Sequence, residues 1–186
     1  MAVTFSSIAQ FSEPFRSSKI VLKTGDTLTG MGKTRNKGFK YKPDSNTKPY
    51  FIEFSEIAYL EQKYSYNEVK VFRFFQLTNN YQFIRVEEFN IGGALELYGI
   101  PRQGDITIAG GSSVPTAWVN FCLKKKNDEK LTEIGFYDPF SDYKDKVKNY
   151  FSDCPKLIEQ IENKSLRLRN GLEPMVEYYN NNCGLE

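Results

Sequence analysis

The sequence predicts an α+β protein that is mainly β: an antiparallel sheet, barrel-like or sandwiched, with a C-terminal tail of three short helices. Three observations predict it. Aromatic residues make up 15% of the 186 residues, led by 15 Phe and 12 Tyr, and flat rings favour the pleated surface of strands. Short apolar runs alternate with closely spaced turn residues as far as Ile134, as in a meander of strands. At Asp138-Pro139 the apolar period becomes helical. The expected organisation is a β domain over 10–138 and a helical tail over 139–186 packed on it, with residues 1–9 set apart as the remnant of a signal peptide.

Lys19 to Leu22 and Thr27 to Gly30 read as strands joined by Lys23-Thr24-Gly25-Asp26, since Gly and Asp tolerate tight-turn backbone angles. Met31 to Lys48 is polar and rich in Gly and Lys, a long loop or a ragged hairpin. Phe51 to Phe54, Ile57 to Leu60, Val69 to Leu77 and Gln82 to Phe89 follow as strands, the last two turning at Asn79-Asn80. Gly92 to Pro115 is dense in Gly and Pro, with two short strand-like runs, Leu95 to Ile100 and Asp105 to Ala109. Trp118 to Leu123 and Lys130 to Ile134 form a hairpin around a charged turn.

In the tail, Tyr143, Val147, Tyr150 and Phe151 repeat at helical spacing behind Ser141, a suitable N-cap. Leu157, Ile158 and Ile161 mark a second helix, with Asp153 and Pro155 suited to its first turn. Leu172, Met175, Val176 and Tyr179 mark a third, with Asn170 and Glu173 at capping-box spacing. If the tail folds back on itself, Cys154 and Cys183 meet as a disulfide; the alternative is two unpaired thiols near helix ends. Closing such a loop stabilises a fold by about 3–4 kcal/mol. Cys122, inside a strand, reads as a buried thiol.

Composition excludes much. There is no histidine, the usual base near neutral pH and the commonest transition-metal ligand. The three cysteines are too dispersed for a zinc knuckle. The 25 basic and 23 acidic residues balance, so no global field draws the chain to nucleic acid. No apolar run approaches the roughly 20 residues that span a bilayer. Gly32-Lys33-Thr34 lacks the earlier glycine of a phosphate-binding loop. Gly110-Gly111-Ser112-Ser113 resembles an anion nest but leads into Val114-Pro115. Lys33, Arg35, Lys37, Lys40 and Lys42 interleave with Phe39 and Tyr41. Such a pattern can grip single strands, or be a solvated loop whose rings tuck into the sheet. The carboxylates Glu87, Glu88, Asp105, Asp138 and Asp142 select no catalytic pair, and adjacent strand residues face opposite ways.

No catalytic residue, metal ligand or cofactor is therefore expected. The candidate surface for a ligand or partner is Tyr98, Arg102, Trp118 and Phe89, with Phe39 and Tyr41; core packing is the other reading of these rings.

Ser7-Ile8-Ala9 matches the small-residue site cut by signal peptidase, which would make Gln10 the first mature residue. Leu22, Gly25, Asp26, Thr27 and Gly30, then Tyr41-Lys42-Pro43, then Asp153-Cys154-Pro155 with Cys183 complete a pattern that runs along nearly the whole chain. In this it resembles an uncharacterised family of exported Bacteroidota proteins, whose signal ends in Ala-Gln; the basic start of that signal is the one part not matched. The resemblance implies a periplasmic, outer-membrane or extracellular location and a sheet with a helical tail. The function expected is a non-enzymatic binding module for an envelope protein or glycan. A glycan or small-ligand binder using 92–118 is the alternative, and a carboxylate-dependent hydrolase the remote one.

Overall fold

The computed structural model describes residues 13–107 and 113–184. The proposed signal remnant 1–9, with its Ser7-Ile8-Ala9 site, and the glycine pair Gly110-Gly111 lie outside these residues. Among the described residues, ten antiparallel strands form one sheet: β1 (Arg16–Leu22), β2 (Thr27–Arg35), β3 (Gly38–Lys42), β4 (Tyr50–Glu53), β5 (Ile57–Lys63), β6 (Val69–Leu77), β7 (Asn80–Asn90), β8 (Leu95–Thr107), β9 (Ser113–Lys125) and β10 (Thr132–Gly135). Three helices follow, α1 (Tyr143–Tyr150), α2 (Pro155–Glu162) and α3 (Glu173–Asn182). The strand order is β10-β9-β8-β7-β6-β5-β1-β2-β3-β4, so the sheet is open, with β10 and β4 at its edges.

The expected fold class is what forms, but several elements differ in length. The polar stretch after Met31 is a hairpin: β2 runs on to Arg35 and β3 pairs with it from Gly38. Rings of β3 fold over glycines of β2, Phe39 over Gly32 and Tyr41 over Gly30, where any side chain would collide with them. The two short runs expected within 92–115 are instead one 13-residue strand, β8, paired along its whole length with β9. Pro101 is tolerated there because β7 pairs with β8 only as far as Gly99, and a proline lacking its N–H suits a strand open on one side.

The pairing register divides the side chains between two faces. Ile20, Leu60, Phe72, Glu87, Gly99 and Phe121 are successive partners across six strands and share the first face. Arg73 and Val86, or Tyr98 and Cys122, sit on the second. One core, built on Ile20, Phe39, Tyr41, Ile52, Leu60, Phe72 and Phe74, lies on the first face. Another, built on Leu77, Val86, Tyr98, Ile100, Cys122 and Leu131, lies on the second.

The sheet curls once around each core. From Glu53 to Ile57 the chain reaches at most about 14 Å, whereas β4 and β5 in a flat sheet would be about 19 Å apart. The first curl follows from that mismatch, and a one-turn 3-10 helix over Phe54–Glu56 closes it. The second curl brings Leu131 back to the end of β6: its amide donates to the Gln76 carbonyl (3.0 Å), and its carbonyl accepts from Thr78 (2.9 Å). Because the two cores lie on opposite faces, the curls have opposite senses.

The helices cover the first face where it becomes apolar again. Leu95, Leu97, Leu123 and Ile134 meet Val147, Phe151, Leu157, Leu172, Met175 and Val176 in a third core. Ser141 lies one position before the N-cap Asp142, and its hydroxyl accepts from the Tyr143 amide (3.2 Å). Pro155 opens α2 as expected, but Asp153 lies outside that helix. The expected Asn170–Glu173 capping box does not form. Gly171, at φ 89°, ends a separate one-turn 3-10 helix over Leu168–Asn170 and breaks the path between those side chains.

The disulfide Cys154–Cys183 joins the start of α2 to the end of α3, with its Cα atoms 5.8 Å apart. Beside it, Lys125 of β9 (2.6 Å) and the Tyr179 hydroxyl (2.7 Å) both donate to the Asp153 carboxylate, clamping tail to sheet. No helix among the described residues is long and apolar enough to cross a membrane.

Candidate ligand cleft at the Trp118 ledge

The six residues expected to form a surface do not come together. Phe39, Tyr41 and Tyr98 are core rings, 0%, 3% and 3% exposed. The Tyr41 hydroxyl donates to the Thr29 carbonyl (2.8 Å) and that of Tyr98 to Glu96 (2.8 Å). Burial, then the hydrogen bond to Glu96, raises the Tyr98 phenol far above its ordinary value. Around it, Lys124 pairs with Glu96 and Arg73 with Glu88, so this charged group is satisfied internally. Phe89 is half exposed but faces the other way, resting over Gly99 against Phe121.

Trp118 and Arg102 remain, and they are direct cross-strand partners on the second face. Alternation places Asn120 of β9 on the same face, and β10 adds Glu133 beside it. The Trp118 indole N–H donates to Asn120 Oδ1 (3.0 Å), and the Asn120 amide donates to Glu133 (2.7 Å). Arg102 meets the same carboxylate at 3.5 Å. The chain Trp118–Asn120–Glu133–Arg102 therefore holds each polar group in one orientation. Gly104 lies under the Trp118 ring. Phe136 stands 6.0 Å from it, centroid to centroid, with the two rings tilted by 55°.

Phe136 is 47% exposed and Trp118 is half buried. Phe136 borders a cleft of about 370 Å³ lined also by Asn79, Asn120, Glu133, Asp138, Asp142 and Tyr143. The acids there are already engaged. Asp138 accepts from the Phe140 amide (2.9 Å) and Asp142 pairs with Lys146 (3.1 Å). The Tyr143 hydroxyl is buried without a hydrogen-bond partner. Phe136 is the residue that sequence reasoning missed, because its role depends on the turn after β10 bringing it back to β9.

The other sequence candidates are dispersed. Gly32-Lys33-Thr34 lies within strand β2, not in a loop before a helix. In the basic stretch, alternation turns Lys33, Arg35, Lys40 and Lys42 away from the face that buries Phe39 and Tyr41. Glu87 and Glu88 face opposite ways, paired with Lys70 (2.9 Å) and Arg73 respectively. Burial pushes the Cys122 thiol up to about 12, which leaves it no thiolate character. No group of three or more metal-ligating side chains occurs among the described residues.

No protein-family model matches the chain, and no curated protein or solved structure is significantly similar to it.

Proposed function

We propose that this chain is a non-enzymatic, exported binding module that takes a glycan or a similar polyhydroxylated small ligand on the Trp118–Phe136 ledge. The observation that carries this reading is the packing of Trp118 against Phe136, which borders a cleft lined by the Asn120 amide and the Glu133 carboxylate, both held in fixed orientation. Aromatic faces stack on the C–H faces of sugars, while a few fixed polar groups select hydroxyl positions, the usual division of labour in a small-ligand site. Asn120 and Glu133, already locked to each other, would lose little freedom on binding. Export is supported by the Cys154–Cys183 bridge, since disulfides persist in oxidising compartments.

Trp118 is the single tryptophan of the chain, so its emission reports on the ledge directly. A glycan panel titrated against the full chain should shift that emission for at least one saccharide. Isothermal titration should then show the affinity reduced at least tenfold by Phe136→Ala and by Trp118→Ala. Saccharide binding that both variants retain would move the site elsewhere. A chain that binds no saccharide would leave a protein partner of the envelope as its ligand.

A further inference from the structure

A second cleft adjoins the segment that follows Phe136; it shares Asp138 and Ser141 with the first, but neither Trp118 nor Phe136 lines it. It has a volume of about 550 Å³, with Tyr137 on one wall and the segment from Ile161 to Arg169 on the other. Ile161 and Leu168 are buried beneath it, and Leu166 and Tyr137 present apolar surface to the opening. Four cations, Lys144, Lys164, Arg167 and Arg169, line it against a single carboxylate, Asp138. Lys144 is paired with Glu162 (3.6 Å), and Asp138 is turned to the Phe140 amide. Among the described residues no carboxylate pairs with Lys164, Arg167 or Arg169.

The backbone at Lys164 adds an independent observation. It is the only non-glycine among the described residues with a left-handed conformation, at φ 65°. It follows Asn163, the C-cap of α2, and its amide donates to the Ile161 carbonyl (3.3 Å) while the Leu166 amide reaches back to Gln160 (3.0 Å). That is the position of a helix end at which glycine is favoured, because a β-carbon is strained there. A lysine therefore stands where the local backbone is best served by glycine, and its charge borders the cleft. Glycine would relieve the backbone there, and no carboxylate among the described residues pairs with the charge that lysine brings.

We propose that this cleft binds an organic monoanion with an apolar body, its acidic head met by Lys164, Arg167 and Arg169 and its body lying on Tyr137 and Leu166. Charge-assisted hydrogen bonds from guanidinium groups suit a carboxylate or sulfate head. A small hydrated ion meets the same cations but gains nothing from the apolar floor, where it would lose water.

Octanoate, octanamide and inorganic sulfate titrated calorimetrically into the full chain test this. Octanoate should bind, at least tenfold more tightly than octanamide and than sulfate, and more weakly as salt is raised. Lys164→Gly should weaken octanoate at least threefold while raising the melting temperature, a combination no structural role of Lys164 would produce. Arg167→Gln/Arg169→Gln should weaken it tenfold, and Trp118→Ala should leave it unchanged. Equal affinity for octanoate and octanamide would overturn the proposal, leaving a greasy surface only. So would octanoate binding that both cation variants retain, or no octanoate binding.

Discussion

Phe39 lies over Gly32 inside the first curl, and Gly30, Gly38, Gly99 and Gly104 carry rings of Tyr41, Phe51, Phe89 and Trp118 in the same manner. A glycine in a strand weakens it by leaving nothing to pack; a ring laid across the gap restores the contact. This explains why a chain so rich in aromatics also carries glycine inside strands. Phe39→Ala empties a fully buried site and should cost about 3–5 kcal/mol. Gly32→Ala forces the ring aside and should cost about 1–3 kcal/mol. Both act on one contact, so the double variant should be less destabilised than the sum of the singles. Urea denaturation of the four proteins measures that, and strict additivity would show that Phe39 and Gly32 are not coupled. The sequence marks the stretch around Phe39 and Tyr41 as a long loop or ragged hairpin; that both rings lie on one face of a strand, and that the face is closed over, only the fold decides.

At the scale of elements, the helical tail packs on the sheet through an apolar core, and one disulfide within the tail and one ion-pair cluster to β9 add to that packing. The Cys154–Cys183 bridge spans 29 residues, so removing it with Cys154→Ala/Cys183→Ala should cost about 3–4 kcal/mol on the chain-entropy account. Thiol titration of the unreduced protein should find none in the native state and one, Cys122, in denaturant; three in denaturant would exclude the bridge. Burial works to raise the Asp153 carboxyl, but hydrogen bonds from Lys125 and Tyr179 prevail and hold it below its ordinary 3.8. A carboxyl depressed in the fold contributes stability above its unfolded value and loses it as pH falls through the folded one. Melting temperatures from about pH 5 to about pH 2 should fall more steeply for the native chain than for Asp153→Asn. Equal slopes would remove Asp153 from the acid response. Each helix and its apolar stripe is legible in sequence; the failed Asn170–Glu173 cap is not, because it depends on the backbone turn at Gly171.

For the whole molecule, two curls of opposite sense share their central strands. β6 supplies Phe72 and Phe74 to one core and, at the next positions along, Phe75 and Leu77 to the other. Loosening it exposes both. Backbone amides of β5, β6 and β7 should therefore exchange with solvent most slowly, and those of the edge strands β4 and β10 fastest. Hydrogen-exchange mass spectrometry resolves the two groups, and protection of β4 equal to that of β6 would argue against a shared wall.

Sequence by itself determined the class of the fold, the bounds of β6 (which it marks at Val69 to Leu77) and the places of the three helices. These follow from side-chain periodicity and turn chemistry, which act over a few residues. Only the tertiary structure decided that β8 and β9 form one long hairpin, that the sheet curls twice, and which aromatics remain at the surface. Tyr98 and Trp118 lie on strand neighbours and one sheet face, yet Leu131 folds over the first while the second stays at the opening beside Phe136. That difference arises from chain segments more than ten residues away in sequence, which no local pattern encodes. The cleft bordered by Lys164 is decided in the same way, because its walls come from the turn after β10 and the end of α2.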